Sequence, residues 1–176
     1  MTGLKVPSYA IMRPLVQILA VVLLVACSGS ASEAPLTDLA TTGLSLATAK
    51  SSYSVAEVAP GNDGIRAMLT AAADKAYYAK LGDAFNGALD QNPLFIAEGT
   101  DGVIERQSGD AWVKVSSGIL VEGAKEVMLS PGKTYDIIVT LSAPVQAGTY
   151  RLQLSAAEAA GGDRKVVARS ASFQIR

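Results

Sequence analysis

Thr134-Tyr135-Asp136-Ile137-Ile138-Val139-Thr140-Leu141, followed closely by Tyr150-Arg151-Leu152-Gln153-Leu154, decides how this chain folds. In the first stretch Tyr135, Ile137, Val139 and Leu141 fall on one face, with Thr134, Asp136 and Thr140 on the other. In the second, Tyr150, Leu152 and Leu154 repeat the alternation. A period of two is that of a strand with one buried and one wet face. Ser130-Pro131-Gly132-Lys133 precedes the first stretch and reads as a proline-glycine turn.

The pattern extends outward in both directions. Leu44 and Leu46 alternate with Ser45 and Ala47, and Ile65, Ala67 and Leu69 with Arg66, Met68 and Thr70. Ala76-Tyr77-Tyr78-Ala79, Leu94-Phe95-Ile96, Val103-Ile104-Glu105-Arg106, Trp112-Val113-Lys114-Val115 and Val127-Met128-Leu129 are further short candidates, and Ala171, Phe173 and Ile175 close the chain. Roughly seven to nine short strands spaced by turn signals define an all-β, antiparallel sandwich. A short helical turn near Phe85 to Leu89, between Gly82 and Pro93, is the one helical expectation after the N-terminal segment.

That N-terminal segment has its own logic. Lys5 and Arg13 precede the apolar run Leu15 to Val25, and no acidic residue occurs before Glu33. A basic leader followed by such a block is the layout of a secretory signal peptide, and the block falls short of the roughly 20 apolar residues of a spanning helix. The run ends in Leu24-Val25-Ala26-Cys27. This tetrapeptide resembles the lipobox of bacterial lipoproteins. The resemblance implies a diacylglyceryl group on the Cys27 thiol, cleavage just before it, and an acylated new amino terminus. Each buried methylene contributes about 0.8 kcal/mol, so two or more acyl chains anchor stably where one does not. The alternative is an ordinary cleaved leader with Cys27 a bystander. The implied division is a signal-peptide helix over 1–26, a lipidated cysteine with a flexible tether over 27–42, and the sandwich over 43–176. Ser28, directly after the cysteine, does not signal inner-membrane retention in that family. The expected location is therefore extracytoplasmic, on the outer membrane where the cell has one.

Composition excludes several function classes. Without Lys5 and Arg13, 13 basic residues face 16 acidic ones, a net charge near −3 and no footprint for nucleic acid. The chain has no histidine, which removes Ser-His-Asp and Cys-His catalysis and histidine-based metal sites. Cys27 is the single cysteine, so no disulfide joins two points of the chain.

Two details resemble a family of bacterial immunoglobulin-like domains found in envelope lipoproteins. Ala147-Gly148-Thr149-Tyr150-Arg151-Leu152 has the arrangement of a tyrosine corner, in which a hydroxyl ties back to upstream backbone. The second is the order of pieces from Ser52-Tyr53-Ser54 through Gly109-Asp110-Ala111-Trp112 to Tyr150, within roughly Leu44 to Ile175. Departures are Ala71-Ala72, where that family tends to carry asparagines, and the insert from Gly82 to Pro93. The resemblance implies a non-enzymatic module for protein–protein interaction or a structural role, with the membrane and an envelope protein as partners and no cofactor. The alternatives are a glycan- or calcium-binding module and, last, a carboxylate-based hydrolase.

The residues behind those alternatives are few. Asp83, Asn86, Asp90 and Asn92, like Asn62-Asp63 and Asp101, offer oxygen ligands, with Asp83 and Asp90 the weak metal candidates. Turn chemistry explains the same residues, and no EF-hand spacing is present. Glu98, Glu105 and Asp110 are the candidate carboxylates for acid–base work, read first as scattered surface groups. Trp112, Tyr77 and Tyr78 are expected in the core, with an aromatic ligand platform as the alternative. Ser130-x-x-Lys133 matches the spacing of penicillin-binding enzymes, but proline and glycine between them dictate a turn, not their helix.

Overall fold

A computed structural model of the chain describes residues 43–83, 93–118 and 124–176. The stretch Leu24 to Cys27 that resembles a lipobox, the expected tether over 27–42 and the turn expected at Phe85–Leu89 lie outside these residues. No helix among the described residues is long and apolar enough to cross a membrane.

Alternation becomes strand where it was expected. Ile65–Ala71 forms β3, with Ile65, Ala67, Leu69 and Ala71 all buried. Thr134–Val139 forms β9 and Gly148–Ala156 forms β10, each alternating between buried and more exposed side chains. Around them stand β1 (Leu44–Thr48), β2 (Ser52–Tyr53), β4 (Tyr77–Asp83), β5 (Leu94–Phe95), β6 (Gly102–Ser108), β7 (Ala111–Val115), β8 (Lys125–Leu129), β11 (Val166–Arg169) and β12 (Phe173–Ile175). One sheet runs β1-β3-β9-β5-β4-β8, the other β2-β12-β10-β6-β7, with β11 also on β10. Their facing sides form one apolar core. Leu44, Leu46, Ile65, Leu69 and Ile137 come from the first sheet, and Ile104, Leu152, Leu154, Phe173 and Ile175 from the second. Each such side chain contributes about 1.5–3 kcal/mol by leaving water. The fold is an all-β sandwich.

The sheets are mixed rather than purely antiparallel, which corrects the expectation. β5 runs parallel to β9, and β2 parallel to β12. The second case follows from the short link after β1: the chain leaves one sheet at Thr48 and joins the edge of the other at Ser52. A strand of two residues is too short to show alternation. The single-turn helix α1 (Val55–Val58) was also not expected. Ser54 Oγ accepts from the Glu57 amide at 3.2 Å, and a Glu57 carboxylate oxygen accepts from the Ser54 amide at 2.7 Å. This capping box closes the turn over Val58, which is fully buried. A third departure is Thr140, assigned to the wet face of its strand. β9 ends at Val139, the alternation lapses, and Thr140 and Leu141 are both buried.

The loops are tied down by tyrosines whose rings lie in the core. Tyr150 donates to the Gln146 carbonyl at 2.5 Å, the contact expected of its corner. Tyr53 donates to the Arg66 carbonyl at 3.0 Å and accepts from the Lys50 amide at 3.2 Å. The Tyr135 hydroxyl accepts from the Ser130 amide at 2.8 Å, holding the Ser130–Lys133 turn, where Gly132 takes a φ of 68°. Burial holds the Tyr53 and Tyr150 hydroxyls above the usual phenol range.

Candidate functional site

The candidate site residues among those described do not gather in one place, and Glu105 and Asp101 are already engaged. Glu105 on β6 pairs with Arg151 on β10, Nε to Oε2 at 2.6 Å, and the Arg151 guanidinium lies 4.2 Å from the centre of the Trp112 ring on β7. Glu105 faces Lys114 across β6–β7 and Arg151 across β6–β10, so the whole group sits on the outer face of the second sheet. Trp112 is therefore half-buried beneath an arginine and not a core residue, because Val115, three positions on, takes the inward parity of β7 beside Ile104. Tyr77 is a core residue at 3% exposure. Tyr78 lies on the outer face of the other sheet, opposite Met128. The three aromatics form no common platform.

Asp101 is likewise occupied. It accepts from Arg164 Nε at 2.6 Å and from the Lys80 amide at 2.5 Å. The same arginine reaches Glu126 on β8 through Nη2 at 2.6 Å and the Gly162 carbonyl through Nη1 at 2.9 Å, while Glu126 also accepts from the Gly161 amide at 3.0 Å. Arg164 thus clasps the β10–β11 connection to β8 and to the turn before β6, and its hydrogen bond, with that of the Gly161 amide, holds the Glu126 carboxyl below the ordinary range. Tyr78 and Ala157 exchange amide–carbonyl bonds of 2.8 Å nearby, stitching β4 to the end of β10. Backbone and charge therefore join the two sheets at this end.

The other candidates are dispersed. Glu98 is exposed in the turn after β5, and Asp110 is exposed at the tip of the β6–β7 hairpin. Asn62 donates to the Ala56 carbonyl at 2.8 Å, which is turn chemistry, and Asp63 beside it is exposed. Asp83 closes β4, its backbone opposite Leu94, so the expected insert begins as strand rather than loop. Asn86, Asp90 and Asn92 lie outside the described residues. Among the described residues no three acidic, histidine or cysteine side chains come together as a metal site would require. Ser130 and Lys133 flank a turn, the Lys133 amide donating to the Ser130 carbonyl at 3.2 Å, so this spacing places no lysine over the serine in a helix.

One sheet edge is without a paired strand among the described residues. β7 is the outer strand of its sheet, paired with β6 on one side. Three of its five side chains are exposed, and Val113 is 50% exposed. The hairpin turns on Gly109 (φ 61°), the left-handed position that two-residue hairpin loops reserve for glycine. Ser108 and Ala111 flank this loop as the hydrogen-bonded pair, so the ladder's alternation points the Trp112 and Lys114 amides away from β6. No protein family, curated protein or solved structure matches this chain.

Proposed function

We propose that the chain is a non-enzymatic, lipid-anchored module of the cell envelope, whose immunoglobulin-like sandwich takes up a strand of a partner protein along β7. The observation that carries the interaction is the outer edge of β7, which no described strand pairs. Natural sheets usually blunt such edges with proline, bulges or a covering loop, because unpaired amides and carbonyls template a further strand. Here five consecutive residues carry no proline and a single lysine. Strand addition gives affinity through main-chain bonds and specificity through the alternating side chains.

The immunoglobulin-like reading draws on strand adjacency. The order β12-β10-β6-β7 parallels the G-F-C-C′ order of variable-type domains, and β1-β3-β9 parallels A-B-E. The bond from Tyr150 to Gln146 is that of a tyrosine corner. The anchor rests on Leu24-Val25-Ala26-Cys27 with the basic, apolar leader before it.

The test places a photo-crosslinking side chain at Asp110 of the membrane-bound chain, with and without Lys114→Pro. Proline at 114 removes an amide that faces away from β6, so the hairpin keeps its own ladder. The expected result is one discrete crosslinked protein, lost in Lys114→Pro while the unfolding curve is unchanged. An identical crosslink in Lys114→Pro would overturn pairing along β7.

A further inference from the structure

Arg106 lies at the end of the sandwich, and its surroundings differ from those of every other half-buried arginine. Arg151 has Glu105, and Arg164 has Asp101 and Glu126. Among the described residues no carboxylate pairs with Arg106, although its side chain is half-buried. The backbone explains why it is inside at all. Arg106 stands opposite Tyr150 on one side and Val113 on the other, two residues on from the core residue Ile104, so it shares the inward face of β6. The chain returning from β9 to β10 passes Ser142 to Gln146 here and leaves a cleft of about 300 Å³ between itself and the β6–β7 hairpin. Arg106 lines that cleft together with Val115, Leu141, Pro144, Val145 and Tyr150. The stem of the arginine runs close to Gly148, where an added Cβ would meet its Cδ at 3.7 Å.

A guanidinium carries five donors in a planar fork and no acceptor. Drawing it out of water without a counter-charge is unfavourable, and the geometry that best satisfies it is a bidentate carboxylate. The remaining walls set an apolar strip of Val115, Pro144 and Val145 beside the polar Ser116, Ser142 and Gln146, and that strip suits a carboxylate with a short apolar body better than a bare, highly hydrated anion. The cleft volume is at the lower end of small-molecule sites. The Tyr150 hydroxyl is already committed to Gln146, so Arg106 is the cation that orients the ligand.

We infer that this cleft binds a small organic monocarboxylate with a short aliphatic body, its carboxylate held by Arg106 and its body against Val115, Leu141, Pro144 and Val145. The same chemistry is offered by a free short-chain acid and by the C-terminal residue of a peptide. The site is independent of strand addition at β7 and of the lipid anchor.

The experiment uses the purified full chain in a non-ionic detergent and follows ligand binding by saturation-transfer NMR. The probes are 3-methylbutanoate, its amide, inorganic phosphate, and a tripeptide ending in valine with a free or an amidated C-terminus. The inference expects saturable binding of 3-methylbutanoate at millimolar concentrations. Binding of the amide, or to Arg106→Gln, should be weaker by about tenfold or more, the scale of a lost charge-assisted hydrogen bond. Arg106→Lys should retain part of the binding. Val145→Glu, which supplies a carboxylate from within the cleft, should abolish it without requiring loss of the arginine. Tighter binding by the free-acid tripeptide than by 3-methylbutanoate assigns the natural ligand to a peptide terminus, and the reverse assigns it to a free acid. The inference is overturned if 3-methylbutanoate does not bind, if amide and acid bind alike, if phosphate binds in its place, or if Arg106→Gln and Val145→Glu bind as the wild type does.

Discussion

Replacing Tyr150 with phenylalanine isolates one contact of the corner that holds β10. The side chain is 2% exposed, and its ring stacks on Phe173 with centroids 6.2 Å apart. Phenylalanine keeps the ring and deletes only the hydroxyl that reaches the Gln146 carbonyl at 2.5 Å. A neutral hydrogen bond contributes about 1 kcal/mol net, and a buried carbonyl left without a donor adds about 1–3 kcal/mol. Gln146 borders the cleft beside Arg106, so water reaches the carbonyl and the second contribution is largely recovered. The expected loss is about 1–1.5 kcal/mol, or about 3–8 °C in Tm for a domain of this size. Truncation to alanine removes the ring as well and should cost about 3–5 kcal/mol. Urea unfolding of both variants, followed by circular dichroism, measures the two losses at unchanged m. A Tyr150→Phe curve superimposed on the wild type, or one as destabilised as Tyr150→Ala, would refute a corner held by its hydroxyl.

Two glycines separate strain from collision. Gly64 (φ 72°) has the Val139 carbonyl oxygen 2.8 Å from where a Cβ would sit, whereas Gly132 (φ 68°) has nothing closer than 3.7 Å. Gly132→Ala should cost about 1 kcal/mol, from the left-handed backbone alone, and Gly64→Ala should cost clearly more, as equilibrium unfolding would measure. Hydrogen bonds from Lys50 and from Ser54 lower the Glu57 carboxyl from 4.5 to about 2. A depressed carboxyl contributes stability that is present above its unfolded pKa of 4.5 and lost as pH falls toward about 2. Glu57→Gln should therefore flatten the slope of stability against pH in that window and leave it unchanged at neutral pH and above. Arg164→Ala should return the Glu126 carboxyl to the ordinary range in an NMR titration and increase amide exchange across the Asp163–Lys165 connection, whereas Lys165→Ala, at an exposed pair, should do neither.

Most of the strand pattern was legible because alternation survives in any strand long enough to show it. β3, β9 and β10 could be read from Ile65, Tyr135 and Tyr150 onward, and the tyrosine corner from Ala147-Gly148-Thr149-Tyr150. What escaped was short or paired at long range. β2 has two residues, and β11 lies in Val166-Val167-Ala168-Arg169, too brief a run to show a period. The capping signature Ser54-x-x-Glu57 was present in the sequence and marks α1. The Arg164 clasp joins residues 63 and 38 positions apart, a separation no local pattern encodes. Trp112 was expected inside on residue type. Its neighbours Val113 and Val115 set the parity, and parity prevailed. Arg106 shows the converse, a charged residue carried inward by the strand it belongs to.

The most direct test of an anchored envelope module is the intact mass of the chain extracted from cell membranes, compared with Cys27→Ser. The anchored reading predicts a wild-type chain that begins at Cys27 and carries the added mass of its acyl chains, and a Cys27→Ser chain that is unacylated and absent from the membrane fraction. A wild-type chain with an unmodified Cys27, or one cut at another residue, would contradict it.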